Sequence, residues 1–156
     1  MKLGESTECV LHAVTALAQL GGEAASAGQL AEHYGVPAAY LAKQLQSLVR
    51  AGVLTATTGP RGGFRLAVAP ERITLLRIIE AVDGAQPFYK CDEIRQNGRG
   101  GIPPEQCLAP CGLAVRMAAA EAAWRASLAG ETVADILASL PEGIPERTRA
   151  LLARER

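Results

Sequence analysis

Three cysteines, Cys91, Cys107 and Cys111, stand in or at the exit of a stretch thick with glycine and proline, the last two four positions apart in "CLAPC". Thiolates are soft ligands and good nucleophiles, so such a group on irregular backbone points to metal binding or redox chemistry. No apolar run follows Lys2 in the manner of a signal peptide, and no stretch approaches the roughly 18 apolar residues of a membrane span. A cytoplasmic location is therefore expected, and in that reducing compartment four cysteines argue against a disulfide framework. The fourth, Cys9, lies in a helical segment and reads as a small core residue. Glu8 and His12 form a second group. Four apart on a helix, they share a face, and at 100° per residue that face lies opposite the centre of the Val10, Ala13, Val14 and Leu17 stripe. Such a pair is either a surface hydrogen bond or two ligands for one metal ion. His33, at the end of the next helix, reads as structural or solvent-facing.

The elements that must position these groups are legible in turn. "STECVLHAVTALAQL" has helical periodicity and stops at Gly21 and Gly22. "SAGQLAEHY" follows as a short helix with Ser26 as its N-cap. "PAAYLAKQLQSLVRAG" is a third, with Pro37 at the first helical position, Gly52 at the C-terminal end and Leu41, Leu45 and Leu48 on one face. "VLTATTGPRGGFRLAV" reads as a hairpin around Gly59-Pro60-Arg61-Gly62-Gly63, and "TLLRIIEAV" as a fourth helix starting near Thr74. From Asp83 to Pro110 glycine and proline exclude continuous helix, and a loop of that length in a small protein is a candidate for function. An alanine-rich helix returns from Gly112 to Ala129 with Leu113, Met117, Trp124 and Leu128 in one stripe. Its small flanking residues let a second subunit's helix approach closely. The predicted fold is mainly α: a winged helix-turn-helix over 1–82, a cysteine-bearing loop over 83–111, a long dimerisation helix and a short helix over 112–140, and a charged tail over 141–156.

In a helix-turn-helix the second helix enters the DNA major groove and its N-terminal half meets base edges. Here that half offers Tyr40, Lys43 and Gln44, suited to phosphate or a thymine methyl, to guanine and to adenine respectively. Arg61, at the hairpin tip, is placed to enter the adjacent minor groove. Lysine plus arginine and aspartate plus glutamate each total 16 in the 156 residues, so a DNA contact must come from a local patch and not from global charge.

The ordered run of "YLAKQLQSLVRAGVL", "GPRGGFRLA", "ITLLRIIEAVDG" and the cysteine loop resembles the bacterial winged-helix iron-sulfur regulators, the family of IscR and NsrR. "CDEIRQ", "PPEQC" and "AAEAAWRASLA" are most similar to its redox-sensing RsrR branch. The likeness spans roughly residues 1–138. It implies a homodimer that binds a palindromic double-stranded DNA operator. It also implies a 2Fe-2S cluster held by a glutamate and a histidine of one subunit, at the places of Glu8 and His12, and by two cysteines of the other. Cys107 and Cys111 are taken as that pair because they are close in sequence, and Cys91 is the runner-up because it requires the loop to fold back. Imidazole ligation raises reduction potential relative to all-cysteine sites and allows electron uptake to couple to protonation. A change at the cluster is expected to shift the first helix and misalign two reading heads set about 34 Å apart. Ala38 and Ala39 stand where many relatives have serines, and Thr58 where many have arginine, so no operator sequence is carried over.

The alternative is a zinc-stabilised or thiol-based winged-helix regulator without a cluster, since zinc accepts the same donors. An enzyme with Cys111 as nucleophile and His12 as base lacks any surrounding hydrolase or oxidoreductase motif, and no enzymatic activity is expected.

Overall fold

The computed structural model of the chain describes residues 3–59 and 62–153. The larger of its two units comprises residues 3–85 and 128–153. Its centre is α1 (Glu5–Gln19), whose Val10, Ala13, Val14 and Leu17 are at most 1% exposed. α2 (Ala27–Tyr34) starts at a capping box in which the Ser26 hydroxyl accepts from Gln29 N and the Gln29 side chain accepts from Ser26 N. Gly35, at φ +66°, turns the chain in the left-handed region that favours glycine. α3 (Ala38–Arg50) buries Leu41, Leu45 and Leu48 against this core. Pro37 is the N-cap of α3 and not its first helical residue, because its ψ of 127° is extended.

Strands β1 (Leu54–Thr57) and β2 (Gly63–Leu66) pair antiparallel in the register Leu54↔Leu66 to Thr57↔Gly63. The hairpin is tied to the helices by a bridge in which Phe64 N donates to Ala25 O at 2.8 Å and Ala25 N to Phe64 O at 3.1 Å. Gly63 permits this approach: a Cβ there would lie 2.5 Å from Ala25 O. α4 (Leu75–Asp83) is capped by the Thr74 hydroxyl and buries Ile78 and Ile79. The winged helix-turn-helix is thus present as expected.

α6 (Val133–Ala138) and α7 (Ile144–Ala153) belong to this same unit, so the unit does not end near residue 82. α7 occupies the segment expected to be a charged tail. Thr148 and Leu152, four apart on one face, are buried at 6% and 5%, and Gln29 Nε2 donates to Leu152 O at 2.9 Å. Its charges, including the Glu146–Arg149 pair, lie on the outer face.

The second unit, Gln86–Ser127, holds the loop and most of α5 (Gly112–Gly130). As glycine and proline dictate, the loop has only 3-10 turns at Ile94–Gln96 and Pro104–Gln106 among its regular structure. It is pinned by an edge contact of Phe88 on Trp124, with centroids 4.6 Å apart, and by Phe88 N donating to Glu121 Oε2. α5 has no buried residue, and Leu113, Val115 and Met117 are exposed. No helix among the described residues is long and apolar enough to cross a membrane.

Candidate functional site

The loop unit gathers its sulfur around Arg95. Glu93 adopts a left-handed backbone, φ 49°, unusual for a residue other than glycine, and this turns the chain back on itself. Glu93 Oε2 accepts from Arg95 Nε and Nη2 at 2.9 and 2.7 Å, while Glu93 Oε1 accepts from the Cys91 thiol at 3.7 Å. Arg95 also donates to Ala109 O at 3.2 Å, tying the two arms of the loop together. Glu93 keeps the guanidinium firmly charged, and Cys107 and Cys111 both lie within its electrostatic reach.

Cys111 immediately precedes α5, and its carbonyl accepts the first helical bond from Val115 N. The Ala114 and Leu113 amides point at its sulfur and hold the thiol below its ordinary range, outweighing burial, with further help from the Cys91 thiol and Arg95. A helix N-terminus favours a thiolate for this reason. Cys91 therefore sits beside Cys111, although reaching it needs the fold-back that the sequence made seem costly. Tyr89 lies near this group, its hydroxyl pushed up by burial and by the Cys91 and Cys111 sulfurs. Tyr89, Glu93 and Arg95 escaped the sequence reading, although "CDEIRQ" already contains two of them.

Glu8 and His12 belong to the winged-helix unit. Both are exposed, on the side of α1 opposite its core stripe. With Leu3, Gly4, Thr7 and Leu11 they line an open hollow of about 400 Å³. The His12 ring tilts against Tyr34 at 5.6 Å, and the Tyr34 hydroxyl donates to His12 O at 2.9 Å. Burial, with the nearby Cys9 sulfur, pushes that hydroxyl up to about 12, so it stays a donor and fixes the turn that carries His12. Cys9 is half-buried against the core, as its helical position suggests. His33 stacks edge-on to Tyr34 and is pushed down by burial and by Arg147.

Among the described residues, no three His, Cys, Asp or Glu side chains stand together as a metal site. A carboxylate, an imidazole and thiols are donor types that an iron-sulfur centre accepts, and the Glu/His pair or a thiol pair alone falls short of the four ligands a two-iron cluster needs.

On α3, Tyr40 and Lys43 are exposed, and Gln44 is half-buried at the edge of the Leu41, Leu45 and Leu48 stripe. Ser47 and Arg50, joined by a 2.8 Å hydrogen bond, extend the polar side of Tyr40 and Lys43 beyond the N-terminal half of the helix. On the hairpin, exposed Arg65 donates to Thr55 Oγ1 at 3.3 Å. Arg61 lies outside the described residues.

The Rrf2 family model, described as an iron-dependent transcriptional regulator, matches residues 3–139. BadM of Rhodopseudomonas palustris, named among the HTH-type transcriptional regulators, is 46% identical over 79 residues, 51% of this chain and 51% of its own length. The HTH-type transcriptional regulator IscR of Aliivibrio salmonicida is 34% identical over 62 residues, 40% of this chain and 37% of its own. The chain thus spans about half or less of the length of these curated relatives. Among solved structures, T. potens IscR superposes with a TM-score of 0.66 at 22% identity over 92% of this chain and 94% of that one, a likeness of fold. The oxidised form of Staphylococcus aureus CymR gives 0.64 at 25% identity, over 91% and 99%.

Proposed function

The chain belongs to the Rrf2 family of transcriptional regulators, and from that premise we propose that it is a homodimeric DNA-binding regulator that senses redox state through a 2Fe-2S cluster bound across the subunit interface. DNA reading is assigned to α3, through Tyr40, Lys43 and Gln44, with Arg61, which lies in the sequence between the two strands, as a further candidate. The exposed Leu113 and Met117 of α5, four apart on one face, support its role as the dimer helix, since apolar side chains with no core of their own favour a matching partner. A palindromic operator follows from two-fold symmetry.

Glu8 and His12 of one subunit and Cys111 of the other are the proposed ligands. The loop fold-back, in which Glu93 accepts from both Cys91 and Arg95 and Arg95 bonds Ala109 O, carries the reading, because it brings Cys91 towards Cys111 and supports Cys91 as the fourth ligand beside the Cys107 expected from proximity in sequence. When bound, the cluster supplies one-electron chemistry. Glu8 and His12 would hold it from the first turns of α1, so the ligand positions and the placement of that helix are tied together.

The test is an anaerobic visible spectrum with iron and acid-labile sulfide counts on the wild type and on Glu8→Ala, His12→Ala, Cys91→Ala, Cys107→Ala and Cys111→Ala. Colour is expected to be lost in every variant except Cys107→Ala. Loss in Cys107→Ala with retention in Cys91→Ala reverses the cysteine choice. A colourless wild type carrying zinc, or no metal, replaces the proposal by a second reading. There, Cys91 and Cys111 act as a thiol pair, a reading the same loop fold-back supports.

A further inference from the structure

Two helix ends in the winged-helix unit are closed by side chains from elsewhere. α1 begins at Gly4 with no side-chain cap of its own, leaving first-turn amides to be satisfied. Asp83, the last residue of α4, takes that place: its Oδ2 accepts from the Thr7 hydroxyl at 2.5 Å and from Gly4 N at 3.4 Å. At the other junction α3 runs out through Ala51 and Gly52, the latter at φ +66°. There Arg77 Nη2 donates to both carbonyls, at 3.1 and 3.0 Å. The signs suit the helix dipoles, an anion at the positive N-terminus of α1 and a cation at the negative C-terminus of α3.

These two clasps are ends of one short rigid body. Arg77 and Asp83 are six residues apart, about 9 Å along the α4 axis at ~1.5 Å per residue. Between them Ile78 and Ile79 are 1% and 4% exposed, and α4 packs on both α1 and α3. Thr7, itself 2% exposed, is the chain neighbour of Glu8. Arg77 holds the point at which α3 hands over to the hairpin, just before Val53 N donates back to Leu48 O at 2.9 Å.

We infer that Arg77 and Asp83 are positioning residues that make α4 the strut between the ligand-bearing turn of α1 and the DNA-reading helix α3. The inference rests on the function proposed above. A tilt of the Glu8 turn pulls on Asp83 through Thr7, and α4 passes the movement to the α3 exit through Arg77. Neither residue touches DNA or cluster in this scheme.

The experiment has two arms. In the cluster-free protein, hydrogen exchange is measured residue by residue for the wild type and for Thr7→Val. Faster exchange at the Gly52 and Val53 amides is expected, and a change confined to residues adjoining Thr7 and Asp83 overturns the strut. In the second arm, the binding of a duplex selected from random sequence by the wild type is compared for cluster-loaded and cluster-free protein at fixed salt. The wild type is expected to differ by about tenfold between the two states, and Arg77→Ala and Thr7→Val by less than about twofold, with unchanged visible spectra. Arg77→Lys, which keeps the charge and a donor, is expected to restore part of the difference. Retention of the wild-type ratio in both Arg77→Ala and Thr7→Val also overturns the strut. A wild-type ratio of one instead overturns the proposed sensing function, and the exchange arm still decides the α4 connection.

Discussion

At the scale of single residues, the chemistry depends on where protons and lone pairs are held. Cys111 and Cys9 are cysteines of one chain with opposite biases. Amides of the α5 N-terminus hold the Cys111 thiol down, whereas burial and then Glu8 push the Cys9 thiol up. A depressed pKa means thiolate persists to lower pH, so in the cluster-free protein iodoacetamide is expected to alkylate Cys111 at lower pH than Cys9, read by peptide mass mapping across a pH series. Equal profiles would remove the electrostatic argument for Cys111 as a sulfur donor. Spacing put Glu8 and His12 on one helix face and Cys111 beside Cys107, but only the family resemblance made Glu8 and His12 candidate ligands. The proximity of Cys91 could not be read from spacing, because it depends on a left-handed Glu93 and on the Arg95 bridge to Ala109, and neither leaves a periodic trace. Spacing alone favours Cys107, and the cysteine variants decide between it and Cys91.

Among the elements, helices whose ends carry chemical punctuation were readable. Ser26 and Thr74 cap where a hydroxyl before an apolar run says they should, and the glycine-rich hairpin formed between the strands expected to flank it. α7 was not readable, because its charges dominate its composition while its buried face comprises little more than Thr148 and Leu152. Docking on α1 and α2 decides its structure, and a short helix gains most of its stability from such packing. Leu152→Ala is therefore expected to destabilise the protein by about 2–3 kcal/mol in urea unfolding, within the range for buried leucine. A loss under ~0.5 kcal/mol, as for a surface position, would return the segment to a tail. The α5 stripe was legible as a pattern, but not in its destination, since pattern does not say whether an apolar face meets its own chain or another.

For the whole molecule, zero formal net charge means that attraction to DNA must come from cations set locally, such as Lys43, Arg50 and Arg65. Binding is then expected to weaken linearly in log salt, with Lys43→Ala lowering the slope by about one if it neutralises a phosphate. Salt-independent binding would remove DNA as the partner. In the proposed sensor dimerisation and cluster ligation are one claim, because each chain would supply half of the ligand set of each cluster. The direct test is complementation in mixed dimers. Anaerobically co-expressed Glu8→Ala/His12→Ala and Cys111→Ser subunits, each colourless as a homodimer, share between them one intact ligand set across the interface. The purified mixed dimer is predicted to regain visible colour, with half the wild-type iron and acid-labile sulfide. A colourless mixed dimer would contradict a cluster shared between subunits.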